Sequence, residues 1–187
     1  MRRRFIELAK KLDPRRLVFI DEAGSHIAMT RDYARAPRGE RAVASVPRNA
    51  GTVTTMIGAL DVTGVPAMMT IEGATDGEVF ETFLTRVLVP KLQPGDIVVL
   101  DNVGAHKTPN VRPLIEASGA TVLYLPPYSP DLNPIELCWS KMKTLLKEFG
   151  ARTHQALDAA IRRAMDLVGR SDAVGWFTHC GYEAHAN

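Results

Sequence analysis

A chain of 187 residues, 45% hydrophobic and 24% charged, has the length of one domain with a substantial core and the composition of an ordinary soluble globular protein. No apolar run is long enough to span a membrane, Cys138 and Cys180 form no C-x-x-C pair, and Met1-Arg2-Arg3-Arg4 leads into a charged segment where a signal peptide would turn apolar, so a reducing, cytoplasmic setting is expected. The net charge is only +2, yet residues 1–50 hold twelve Lys/Arg against six Asp/Glu and the remainder eleven against fifteen, so the basic surface is local and suits a polyanion.

In chain order, residues 2–12 predict a short basic helix, halted by Asp13-Pro14. Leu17-Val18-Phe19-Ile20 predicts a strand buried on both faces. The arginine-rich stretch that follows, with Arg31, Arg35, Arg38, Arg41 and Arg48 punctuated by Pro37-Arg38-Gly39 and Pro47, reads as a strand, a turn and a second strand on the sheet edge. Thr52–Leu60 and Val65–Ile71, separated by Asp61-Val62-Thr63-Gly64, form a hairpin signal. A helix opens with the capping-box spacing Thr75-Asp76-Gly77-Glu78, carries Val79, Phe80, Phe83, Leu84, Val87 and Leu88 on one face, and ends at Pro90 near Leu92. A second double-buried strand spans 97–101. A helix over 109–118 and a strand over 121–125 then complete a β-α-β unit with parallel pairing. Ile135, Cys138, Trp139, Met142, Leu145, Leu146 and Phe149 mark the core face of the next helix, with Glu136, Ser140, Lys143 and Lys147 on the opposite stripe. A last helix over 153–169 leads to an aromatic tail that packs back on the core. The order predicts an α/β fold with a mixed sheet, three antiparallel strands and then parallel ones, flanked by helices.

Three acids stand out against this pattern. Asp21 and Asp101 each end an apolar strand, at the sheet edge where α/β proteins bind ligands. Two such carboxylates on neighbouring strands repel by roughly 4 kcal/mol at 4 Å in an effective dielectric near 20, so the pair calls for a cation, and hard divalent ions with oxygen ligands are the natural one. The third acid, Glu136, follows the proline-stiffened loop Pro126-Pro127-Tyr128-Ser129-Pro130-Asp131-Leu132-Asn133-Pro134 and lies in the first turn of its helix. Asn133 and Glu136 also fit a capping box without any metal. Glu22 follows Asp21 directly, so its side chain should leave on the opposite face. His106 reads as a residue that touches DNA or orients the site or, on balance, as a loop histidine satisfied by local hydrogen bonds, and Tyr128 either as a base-stacking residue or, on balance, as packing for its own loop. His26, His154, His179 and His185 show no zinc spacing, and no glycine motif for ATP or a dinucleotide is present.

Taken together, Phe-Ile-Asp21-Glu22, Val-Leu-Asp101-Asn102 with His106, and Pro-Pro-Tyr-Ser-Pro-Asp-Leu-Asn-Pro-Ile-Glu136 with Trp139 and Lys143 resemble the catalytic domain of the mariner-superfamily DDE transposases, in their bacterial insertion-sequence branch (the six-thirty family). The 34 residues between Asp101 and Glu136 are the gap of that branch, and the likeness runs from about Leu17 to Tyr182. The resemblance implies a ribonuclease-H-like fold over 17–187, in which Asp21, Asp101 and Glu136 are the catalytic residues and hold two magnesium or manganese ions. It implies cleavage of element ends by hydrolysis and transfer of the freed strand to target DNA. DNA contacts are expected from Arg31, Arg35, Arg38, Arg41, Arg48, His106, Lys107, Lys143 and Lys147. Relatives carry N-terminal helix-turn-helix modules where this sequence has the basic segment 1–16, a linker remnant on this reading. A separate or missing recognition module, a homodimeric partner and association with the bacterial nucleoid are therefore expected. A stand-alone metal-dependent nuclease or resolvase of the same fold, and an inactive DNA-binding remnant, are the alternatives.

Overall fold

The computed structural model describes residues 1–183. Five strands form one mixed sheet: β1 (Leu17–Ser25), β2 (Thr54–Asp61), β3 (Gly64–Glu72), β4 (Ile97–Leu100) and β5 (Thr121–Tyr124), in spatial order β3-β2-β1-β4-β5. β1, β2 and β3 pair antiparallel, whereas β4 lies parallel to both β1 and β5. This is the mixed sheet the apolar runs predict, with β1 at its centre because that strand is buried on both faces.

Alternate residues of the central strands feed two cores. Val18, Ile20, Ile57, Ala59, Val98 and Leu100 point to one face, where α2 (Gly77–Phe83) supplies Phe80 and Phe83 and α3 (Val111–Glu116) supplies Val111 and Ile115. Phe19, Met56, Leu60 and Val99 point to the other, against α1 (Arg2–Ala9), α4 (Pro134–Phe149), α5 (His154–Asp166) and α6 (Arg170–His179). The sheet is therefore sandwiched between helices, and each fully buried Phe or Leu contributes about 1.5–3 kcal/mol through apolar area removed from water. No helix among the described residues is long and apolar enough to cross a membrane.

Three local expectations change. Residues 26–53 contain no strand, and 31–46 are exposed throughout, so the expected edge hairpin is absent. Its alanines and arginines offer little apolar surface to bury, and Pro37 and Pro47 remove ladder donors. The helix cap at α2 is Asp76, whose carboxylate accepts the Val79 N–H at 2.9 Å, one residue past Thr75. The aromatic tail is itself helical: after α5, Gly169 opens α6, which carries Ala173 and Phe177 into the core, and Phe19 meets Phe177 edge-on at 5.3 Å.

The basic N-terminal segment is built into the domain. Phe5 and Ala9 of α1 join the core, and the Arg2 guanidinium pairs with Asp131 and donates to Ser129 Oγ at 2.9 Å, both in the proline loop. Opposite it, α4 ends at Gly150, whose left-handed φ of 60° lets its N–H reach Leu146 O at 3.0 Å.

Candidate active site

Asp21 sits in β1 one residue past Ile20, half-buried on the face that α4 covers. Its Oδ1 accepts the Glu22 N–H at 2.8 Å, and Asn133 Nδ2 approaches its Oδ2 at 3.4 Å. Burial pushes the Asp21 carboxyl up to about 7; the Glu22 N–H opposes this, while the charges of Glu136, Asp101 and Glu22 add to it. Asp21 thus feels the charges of the two other acids predicted to act with it, each carried by a separate element.

α4 reaches Asp21 through a small residue. Gly58 is the β2 partner of Asp21, and a Cβ on Gly58 would stand 2.7 Å from Trp139 Cη2. The bare glycine lets the buried indole lie on the sheet. Glu136, one turn before Trp139, is thereby placed at the exposed rim of the same region.

Asp101 follows the last residue of β4. Its Oδ1 accepts the Val103 N–H at 2.9 Å and lies 2.6 Å from His106 Nδ1. Burial pushes the Asp101 carboxyl up, but the hydrogen bonds from His106 and Val103 and the nearby positive charge outweigh it and hold the group below the usual aspartate range. His106 is wholly buried, with its ring centroid 4.3 Å from that of Phe80, and its Nε2 meets Glu22 Oε1 at 3.1 Å. Burial pulls the imidazole down, but the hydrogen bonds and charges of Asp101 and Glu22 overcome it and raise His106 to about 9. His106 is therefore not a surface DNA contact; its ring bridges two carboxylates from beneath the site. Glu22 leaves β1 away from Asp21, as alternation requires. Its role as the far support of His106 has no local signal, since the pair lies 84 residues apart in sequence.

The capping explanation of Glu136 fails on geometry. Asn133 is the N-cap of α4, yet no side-chain hydrogen bond caps the helix; only the backbone bond from the Glu136 N–H to Asn133 O at 3.1 Å closes the turn. Asn133 instead turns its amide toward Asp21 and leaves its buried Oδ1 without a partner. That orphaned oxygen beside carboxylates suits a hydrated hard cation, which supplies the donors the protein lacks. Among the described residues no three Asp, Glu, His or Cys side chains already converge on one ion position, and His185 lies outside those residues.

A cleft of about 390 Å³ opens over this region, lined by Asp101, Asn102, Val103, Leu125, Pro126, Pro127, Tyr128, Ser129, Pro130, Asn133 and Glu136. Asn102 anchors its floor by donating to Leu125 O at 2.5 Å.

The basic residues divide into two groups. Arg31, Arg35, Arg38, Arg41 and Arg48 are exposed, as are Lys107 and Lys143. Lys147 pairs with Asp32 at 2.7 Å, and Arg152 donates to Ile27 O at 3.0 Å and Met29 O at 2.7 Å, so the root of the arginine segment is tied to α4 and its C-terminal neighbour.

The sequence profile of the family described as DDE superfamily endonuclease matches residues 16–159. The fold is similar to that of the mariner transposase Mos1. Its pre-cleavage transpososome aligns with a TM-score of 0.75 at 18% identity over 99% of this chain and 61% of the other. The structure of its catalytic domain and raltegravir with manganese aligns with a TM-score of 0.71, again at 18% identity, over 100% and 94% of the two chains. At that identity the likeness establishes the ribonuclease-H-like fold. A curated relative, an uncharacterized protein of Sinorhizobium fredii, is 38% identical over 47 residues, 25% of this chain and 33% of its own length. The chain thus spans a third of that relative and about three fifths of the transpososome subunit. Asp101 follows the end of β4 as expected, whereas Asp21 lies within β1, which runs on to Ser25; with the family profile covering the sheet, both aspartates and Glu136, the chain belongs to the DDE superfamily endonucleases.

Proposed function

We propose that this chain is the catalytic domain of a DNA transposase of the mariner superfamily, in its bacterial insertion-sequence branch, which cuts element ends and joins them to target DNA. The observation that carries the proposal is that Asp101 and Glu136 line one cleft and both act on Asp21, whose carboxyl is pushed up to about 7 by burial first and by the charges of Glu136, Asp101 and Glu22 in addition. Burying an acid among acids is costly for a merely structural site and useful for one that takes up a cation. The Mos1 complexes solved with magnesium and with manganese support the same ion class.

In this reading Asp21, Asp101 and Glu136 hold two divalent ions, magnesium or manganese. Bound there, the ions would supply Lewis-acid stabilisation of the attacking and leaving oxygens in a phosphodiester displacement. The chain's own residues do the rest. Asn133 orients Asp21, and the Glu22–His106 pair fixes one oxygen of Asp101, which lines the cleft. Arg31, Arg35, Arg38, Arg41, Arg48, Lys107, Lys143 and Lys147 offer positive charge to the DNA backbone, which positions the duplex without reading its sequence. In the first step water adds to phosphorus as the P–O3′ bond breaks, and the 3′ oxygen leaves as a hydroxyl. In the second that hydroxyl attacks a target phosphodiester, forming one ester bond as another breaks. A helix-turn-helix recognition module on a separate or longer chain, and a second copy of this domain, complete the partners.

The deciding experiment incubates the protein with manganese, a 3′-hydroxyl donor duplex and supercoiled plasmid. Joined donor–plasmid product supports transposition; nicking without joining assigns a nuclease of the same fold. No metal-dependent product of either kind removes the proposal.

A further inference from the structure

Tyr128 is fully exposed, and among the described residues it is the one non-glycine with a positive φ, at 53°. That combination contradicts a tyrosine that packs its own loop. Glycine or asparagine would take the left-handed conformation more readily, and a polar residue would suit full exposure better, so neither local backbone nor solvation favours tyrosine here.

The loop nevertheless holds it firmly. Pro126 and Ser129 on either side are buried, Pro127 and Pro130 restrict the backbone, Ser129 Oγ donates to Pro127 O at 3.2 Å, and Arg2 donates to Ser129 at 2.9 Å. A rigid frame thus presents an unpartnered aromatic ring at the cleft that Asp101 and Glu136 also line. The neighbouring wall, Val103, Leu125, Pro126 and Pro127, is neutral and largely apolar, unlike the arginine segment suited to phosphates.

We propose that Tyr128 is a stacking platform for an unpaired nucleobase flanking the phosphodiester held at the carboxylates. The inference rests on the DNA-cleavage reading above and adds a second class of contact to it. A phosphate drawn to the carboxylate cleft brings its adjoining bases with it, and once a base leaves the helix its flat face needs a neutral aromatic surface. Stacking tolerates any base, so this site aids strand opening at the cut without specifying sequence.

The test uses a short duplex with a mismatched, frayed terminus carrying 2-aminopurine, and a fully paired duplex of equal length, each titrated in calcium. Wild type, Tyr128→Phe and Tyr128→Trp should quench 2-aminopurine on the frayed duplex. Tyr128→Ala should not, and should bind that duplex about tenfold more weakly while binding the paired one as wild type does. Tyr128→Asn, which suits the left-handed backbone but lacks a large ring, should behave as the alanine variant does. Equal quenching by wild type and Tyr128→Ala overturns the inference. So does a loss of self-association in Tyr128→Ala with quenching unchanged, which would assign the ring to a protein interface. Plasmid nicking in manganese on the same wild-type preparation separates the two levels. Nicking with no quenching contrast removes the stacking platform alone, whereas a quenching contrast with no nicking supports stacking and removes the cleavage reading.

Discussion

Gly58 of β2 and Trp139 of α4 are in a contact that admits no extra atom: a Cβ on the glycine would lie 2.7 Å from the indole. Because Gly58 is also the strand partner of Asp21, and Trp139 lies one turn beyond Glu136, this one contact sets how closely the helix-borne acid approaches the strand-borne one. Gly58→Ala is expected to cost about 1–3 kcal/mol through overpacking. It should also reduce cleavage while Asp21, Asp101 and Glu136 remain intact. Adding Trp139→Phe removes the clashing atom, so the double variant should be less destabilised than the sum of the singles by about 1 kcal/mol. Chemical denaturation of the four proteins measures this; additive effects would separate the contact from the placement of α4.

Asp21 makes the metal-free protein less stable than it could be. Its charge is buried near Asp101, Glu136 and Glu22, and its folded value of about 7 lies above the ordinary 3.8. The folded state therefore holds more protons than the unfolded one between these values, and stability falls as pH rises from about 4 to about 7. Asp21→Asn should raise the melting temperature at pH 8 in EDTA. Manganese should raise that of the wild type and leave the variant nearly unchanged. Scanning fluorimetry with and without metal checks both halves.

A second pH effect comes from the far side of α4. Asp172 accepts from Lys141 Nζ at 2.6 Å and from the Gly169 N–H at 3.0 Å, joining α4 to the start of α6. Burial pushes its carboxyl up, but the hydrogen bonds and the Lys141 charge prevail and hold it below the ordinary 3.8. The stability it provides is complete above pH 3.8 and is lost as pH falls through its depressed folded value. Asp172→Asn should cost about 1 kcal/mol at pH 7 and flatten the acid limb of the stability curve. Urea midpoints from pH 7 to pH 3 report it; parallel curves would assign the acid limb to other carboxylates.

Much of the sheet is legible in the sequence because β1 and β4 are buried on both faces and therefore read as uninterrupted apolar runs ending in aspartate. The core face of α4 is equally plain, since Ile135, Cys138, Trp139, Met142 and Leu146 repeat at helical spacing. What stayed hidden depends on partners distant in sequence. The spacing of arginines from 31 to 48 resembles a polar edge strand, but no neighbour pairs with it. The role of His106 needs Glu22 and Asp101 at once, and the orphaned Asn133 oxygen appears only when α4 docks beside Asp21. α6 was hidden because the last helix was expected to run on to residue 169 and the stretch after it reads as an aromatic tail, although Ala173 and Phe177 stand four residues apart as one helical face.

The central claim is that Glu136 acts as a charged ligand and not as a helix cap, and nicking of supercoiled plasmid by Glu136→Gln in manganese tests it most directly. Since no side chain caps α4, the glutamine variant should keep stability within about 1 kcal/mol of wild type. It should bind duplex DNA as before, because the basic residues are untouched. An amide cannot supply the negative charge of a divalent site, so metal-dependent nicking should fall about 100-fold or more. Nicking at the wild-type rate by a folded, DNA-binding Glu136→Gln protein would contradict the account and remove Glu136 from the active site.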